Sequence, residues 1–206
     1  MHRVLKVALL LTMLAVPVFG SVLVAAADVV VITTPNSGLS STPGPYATVT
    51  YVLNGANIDV TLVMFPGLLA FGASDIFGFN VVGSTAGLNL TNTPAGFTAN
   101  VAGGQMDGFG NFDVTLGCCD PANAVSSFSF TVSRTGGFSS ASDIFEANAV
   151  GAHFAVHAVP TNGNPVGFAA DTGTPSAAVP EPGTILLLAT GLIGIAAARA
   201  PYRKRA

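Results

Sequence analysis

The chain has 206 residues and a formal charge of −3, and only 8% of its residues are charged, against roughly 25% in ordinary globular proteins. Most cations sit at the two ends: between Asp28 and Val179 the single basic residue Arg134 stands among nine acidic ones. That balance excludes nucleic acid and anionic lipid as partners of the middle region, because both demand a basic footprint.

Arg3 and Lys6 precede an apolar run over residues 7–19, which Pro17 and Gly20 break early. Ala25 and Ala27 then place small residues before Asp28, so residues 1–27 read as a secretory signal peptide cleaved ahead of Asp28. An uncleaved anchor is the alternative, since apolar character resumes over 22–27. Export leaves a middle of about 150 residues, enough for one buried core. Thirteen of the 14 phenylalanines lie there and supply that core, so the Gly-, Ser-, Thr- and Asn-rich middle is expected to fold.

Residues 28–45 read as an extended arm, rich in Pro, Gly, Ser and Thr. The domain proper is expected over 46–160. Residues 47–53 and 58–65 form a β-hairpin across a four-residue turn at 54–57, with Ile58, Val60, Leu62 and Met64 on one face. Further strands are expected at 76–82 and 97–101. Phe112, Val114 and Leu116 alternate against Asn111, Asp113 and Thr115. Phe128, Phe130 and Val132 alternate with Ser127, Ser129, Thr131 and Ser133, the pattern of a half-buried strand with a hydroxyl-rich outer face. Residues 140–148 hold at most a turn of helix, and 149–159 alternate as a last strand. Residues 161–178 read as a flexible stalk. The expected fold class is all-β: an antiparallel β-sandwich, jelly-roll-like, between an N-terminal signal-peptide helix and a C-terminal transmembrane helix.

Chemistry-bearing residues in the domain are few. Cys118 and Cys119 are the only cysteines. Adjacent Cα atoms lie about 3.8 Å apart, below the usual disulfide range, so the pair offers a strained loop disulfide, a redox pair or a cross-link to another chain. His153 and His157 on one strand would stand about 13 Å apart, too far to share an ion. Asp107, Asn111, Asp113 and Asp120 offer oxygen ligands for Ca²⁺ but lack EF-hand spacing, and solvated loop carboxylates are the plainer reading. Asp143 and Glu146 lie close enough in sequence to suggest a carboxylate pair for glycoside chemistry, although any acidic domain yields such pairs. There is no nucleophile elbow, phosphate loop or zinc spacing, so no enzymatic activity and no cofactor are expected.

The C-terminal segment 179–206 is the most specific part of the chain. Pro180 and Pro182 hold Val179, Pro180, Glu181, Pro182 and Gly183 extended. Residues 185–198 are an apolar run that spans roughly 21 Å as a helix, short of the ~30 Å hydrocarbon core, with flanking residues and snorkelling Arg199 closing the gap. Arg199, Arg203, Lys204 and Arg205 then set a cytoplasmic C-terminus.

This order of motif, apolar helix and basic end resembles the PEP-CTERM sorting signal of Gram-negative bacteria, a segment also termed an ice-binding protein C-terminal domain. The resemblance covers about an eighth of the chain. It implies an inner-membrane-anchored precursor processed near the motif by an exosortase, a membrane-embedded cysteine peptidase, and then release to the cell surface or extracellular matrix. Proteins of this kind usually accompany extracellular polysaccharide and biofilm. Three functional readings follow for the domain: a non-enzymatic surface or matrix protein, a carbohydrate- or ice-binding module, and a secreted hydrolase. Trp is absent, only Tyr46 and Tyr51 lie in the domain, and Thr48 with Thr50 is the extent of any threonine array visible along the chain.

Overall fold

The alternating apolar positions do form strands. A computed structural model describes residues 27–172 and the backbone of 176–177. The chain enters as β1 (Asp28–Ile32) and β2 (Thr34–Pro35), followed by the hairpin β3 (Ala47–Asn54) and β4 (Asn57–Met64). Next come β5 (Leu68–Ala70), β6 (Phe77–Phe79), β7 (Leu88–Thr91) and β8 (Thr98–Asn100), then a second hairpin, β9 (Gly104–Met106) with β10 (Gly110–Phe112). The remaining strands are β11 (Val114–Gly117), β12 (Ser127–Arg134), β13 (Phe154–Pro160), β14 (Gly167–Ala170) and β15 (Ser176–Ala177). Every pairing is antiparallel. Among the described residues, helix is limited to the 3₁₀ turns Pro121–Asn123 and Ala141–Ile144. The second is the turn expected within 140–148, opened by a capping box of Ser140 and Asp143.

One sheet runs β15-β1-β3-β4-β12-β7 and the other β2-β14-β13-β6-β11-β8, with β5 pairing β13 beside β6. Their inner faces share a single core. The first sheet contributes Val49, Tyr51, Ile58, Val60, Leu62, Phe128, Phe130 and Val132; the second contributes Phe77, Phe79, Val114, Leu116, Phe154 and Val156. Phe77 sits at its centre, with ring centroids of Phe79, Phe128, Phe130 and Phe154 all 5.8–6.1 Å away. Such separations are those of favourable aromatic pairs, each adding about 0.5–1.5 kcal/mol beyond burial. A second, smaller cluster lies on the outer face of the second sheet, where Met106, Phe109 and Phe112 cover Ala155, Phe168 and Ala170. Gly78 permits this: a Cβ there would stand 3.0 Å from both Met106 Cγ and Phe112 Cγ, so a side chain would push the β9–β10 hairpin off the sheet.

Several expectations need correction. The first hairpin turns in two residues, Gly55 and Ala56, because Asn54 and Asn57 already pair and Gly55 takes the positive φ of +63° that a tight turn requires. Phe112 does not share a face with Val114 and Leu116. The chain breaks at Asp113, whose N–H donates to Asn80 Oδ1 (3.1 Å) while its carboxylate accepts from Val81 N (3.1 Å), so Phe112 joins the outer cluster and β11 is buried throughout. Residues 149–153 are not strand. The leading segment is no free arm, since all five residues of β1 register with β3 and β2 pairs β14. Within the expected flexible stalk, residues 167–170 are instead a strand, β14, fully buried between β13 and β2. Composition there signalled loop, but pairing with neighbouring strands overrides local propensity. The helices expected at both termini lie outside the described residues, and within the described residues no helix is long and apolar enough to cross a membrane.

Phe130 is 2% exposed and touches the Phe77, Phe79 and Phe128 rings. Phe130→Ala is expected to lower stability by about 3–5 kcal/mol through the cavity it leaves. The urea midpoint should fall at constant m-value; an unchanged midpoint would show that this face is not the core.

Candidate functional site

The most telling geometry is at one edge of the first sheet. β15 pairs β1 with Asp28 opposite Ala177 and Val29 opposite Ser176. The expected signal-peptide junction, Ala27 and Asp28, therefore stands beside the residues that lead directly into Val179, Pro180, Glu181, Pro182 and Gly183. Both ends of the domain leave from one place. Ala25, the sorting motif itself and the basic cluster Arg199, Arg203, Lys204 and Arg205 lie outside the described residues.

The outer face of that sheet carries rows that no reading along the chain reveals. Register aligns Val29, Thr50, Thr61 and Ser129 across four strands, with Val31, Thr48, Val63 and Ser127 as the next row and Val52, Asp59, Thr131 and Thr91 beyond. Neighbouring strands are about 4.8 Å apart, so the hydroxyls interact laterally. Thr61 and Ser129 hydroxyls meet at 2.8 Å; Thr131 donates to Asp59 Oδ1 at 2.6 Å and Asn54 to Asp59 Oδ2 at 2.8 Å. The rows are mixed, with valines and one carboxylate among the hydroxyls. Hydroxyl neighbours that are not visible along the chain are thus present across it, without a repeated threonine ladder.

Cys118 and Cys119 are joined to each other by a disulfide. The chain holds no other cysteine, so the oxidised pair leaves no thiol for a cross-link. Their loop is held tightly: Cys118 N donates to Gly72 O (2.8 Å), and Gly72 N donates to Cys119 O (3.0 Å). Gly117 lies so close to Ala73 that a side chain there would run into the Ala73 carbonyl. The Ca²⁺ candidates are not brought together. Asp107 faces Asn36, Asn111 offers its carbonyl to Asn148, Asp113 bridges to Asn80 and Val81, and Asp120 caps the first 3₁₀ turn. No group of three His, Cys, Asp or Glu converges among the described residues. Asp143 accepts from Ser139, Ser140 and Arg134 through Oδ2, which makes it a cap rather than half of a carboxylate pair with Glu146.

The two histidines bond separately. His153 Nδ1 lies 2.8 Å from Asp171 Oδ2 and its ring stacks on Phe145 at 3.7 Å. Asp171 is 1% exposed, and burial raises its carboxyl above the ordinary range, opposed by hydrogen bonds from Phe154 N and by His153. His157 is clamped between Phe71 and Phe168, 4.1 Å from each, and its Nδ1 stands 3.6 Å from Asp75 Oδ1 without a hydrogen-bond partner. Neither histidine meets a serine, threonine or cysteine nucleophile.

A β domain followed directly by a C-terminal sorting signal has the arrangement of an exported cargo protein. Residues 178–204, starting immediately after β15, match the PEP-CTERM protein-sorting motif, so the chain is an exported protein targeted to exosortase and sorted to the cell envelope or surface. No curated protein and no solved structure matches the chain.

Burial holds His157 below its ordinary value, against the opposing pull of Asp75. The folded state then binds this proton less readily than the unfolded chain, so its contribution is present above about pH 6.5 and is lost as pH falls below it. The Tm of the wild type should drop more between about pH 7 and pH 5 than that of His157→Phe, which keeps the stack and lacks the proton site. Parallel Tm–pH curves would exclude His157 as the source.

Proposed function

We propose that this chain is a non-enzymatic matrix protein whose β-sandwich is exported, held at the inner membrane by its C-terminal segment, and freed near Pro180-Glu181-Pro182 by exosortase. It then resides in the extracellular matrix in association with neutral polysaccharide. The observation that carries this reading is the sorting motif at 178–204, which follows directly on a strand paired to the start of the mature domain. That pairing brings both processing points to one edge, which faces the membrane while either terminal segment is still inserted.

A non-enzymatic role is supported by how the polar side chains are engaged. Asp113, Asp120, Asp143 and Asp171 accept backbone N–H groups, both cysteines are oxidised, and neither histidine adjoins a nucleophile. A neutral partner follows from the charge of the domain and from the hydroxyl, amide and valine rows on its outer face. Those rows are too mixed to form the repeated threonine array that an ice surface requires, which favours glycan over ice.

Replacing Pro180, Glu181 and Pro182 together with alanine should leave full-length precursor in the inner membrane. Intact-mass analysis of the wild type should instead give a product beginning near Asp28 and ending near Pro180. Normal release of the triple variant, or a wild-type product retaining residues 185–205, would overturn the reading.

A further inference from the structure

Beside the cystine loop lies an open depression of about 450 Å³, within the roughly 300–1,000 Å³ of small-ligand sites. Phe97, Cys118, Cys119 and Val125 form its apolar part, and Asp120 and Asn123 its polar part. The apolar side is rigidly seated. Gly117 pairs Thr98, which sets Cys118 beside Phe97; the Phe97 ring packs on Phe128 at 5.0 Å, and the cystine rests against the inter-sheet core. Val125 is fixed by mutual backbone bonds with Ala70, both 2.8 Å.

The polar side is equally defined. Asp120 Oδ1 accepts from Ala122 N (3.1 Å), Asn123 N (3.1 Å) and Asn123 Nδ2 (2.9 Å), which orients both side chains. All three bonds fall on Oδ1, so Oδ2 and the Asn123 carbonyl oxygen remain to accept from a ligand. Two sulfurs joined in one short loop present a polarizable surface with no proton to donate and no charge. Beside an aromatic ring, such a surface suits the C–H face of a pyranose, whose hydroxyl edge would meet the planar carboxylate and amide.

We infer that this depression, floored by the Cys118–Cys119 disulfide and Phe97, is a subsite for one ring of a neutral glycan. The negative charge of the domain and the carboxylate at the rim repel uronates and other anionic sugars. The inference rests on the matrix reading above and names the chemical class of its ligand. The sequence hint was only the Cys-Cys-Asp-Pro run. Phe97 lies 21 residues earlier and is brought alongside by the β8–β11 register.

The test uses mature protein isolated from its producing cells, titrated with cellohexaose, maltohexaose and a dextran hexasaccharide, with oligogalacturonate as the anionic control. Calorimetry reads affinity, and saturation-transfer NMR identifies which sugar protons touch the protein. At least one neutral oligosaccharide should bind through the C–H protons of one ring face. Phe97→Ala should weaken it about fivefold or more, while Phe97→Trp retains it. Asn123→Ala, on an exposed turn that contributes nothing to the core, should weaken it about threefold and serves if Phe97→Ala does not fold. Paired Cys118→Ser and Cys119→Ser should weaken it as well. The subsite is overturned if no neutral oligosaccharide binds, if oligogalacturonate binds better, or if folded Phe97→Ala or Asn123→Ala keeps wild-type affinity. Failure of the matrix reading would appear separately, as retention of residues 185–205 in the intact mass.

Discussion

The aromatic cluster around Phe77 is the interaction on which the rest of the structure depends. Phe77 comes from the centre of one sheet, and Phe128 and Phe130 from a strand of the other, so these contacts hold the two sheets together. With so few charged residues, the domain has little ion pairing to rely on: Arg134 is its only basic side chain apart from histidine, and it is engaged with Asp143, the Val82 carbonyl and the Phe138 ring. Burial of apolar surface therefore supplies the dominant stabilising term. The core residues that make it alternate along β3, β4 and β12, which is why these strands have defined register and sides.

That register determines which side chains line the outer face of the first sheet. Once Phe128, Phe130 and Val132 face inward, Ser127, Ser129 and Thr131 must face out, and pairing with β4 sets them beside Val63, Thr61 and Asp59. On the second sheet, the run Phe77-Gly78-Phe79 puts two large rings into the core and leaves a gap on the other side that the β9–β10 hairpin fills. The cystine loop belongs to the same scheme. It is tied to Gly72–Ser74 on one side and, through β11 and β8, lies next to Phe97 on the other, so an otherwise exposed loop becomes a rigid wall.

The placement of the two ends connects fold to fate. The start of β1 and the residues just before the sorting motif lie together at one edge of the first sheet. Two backbone pairings with β1 hold β15 at the sheet edge immediately before the sorting motif begins.

The sequence by itself determined the destination of this protein and the character of its strands. The sorting signal is legible because it is a local code of spaced prolines, an apolar run and terminal cations, read without reference to the rest of the chain. The alternation at Phe128–Val132 and Ile58–Met64 is legible for the same reason, since a strand's two faces are written at a period of two residues. Only the tertiary structure decided what depends on pairing between distant segments. The break at Asp113 is set by Asn80 and Val81, more than thirty residues away. β1 and β14 look like linker until neighbouring strands of the same sheet supply their hydrogen bonds, and the hydroxyl rows exist only across strands. The histidines, four residues apart, are separated in role because each meets an aspartate and aromatic rings contributed by other parts of the chain. Composition and periodicity report what a residue prefers; which partner it meets is fixed by long-range register, and that is a property of the folded sheets alone.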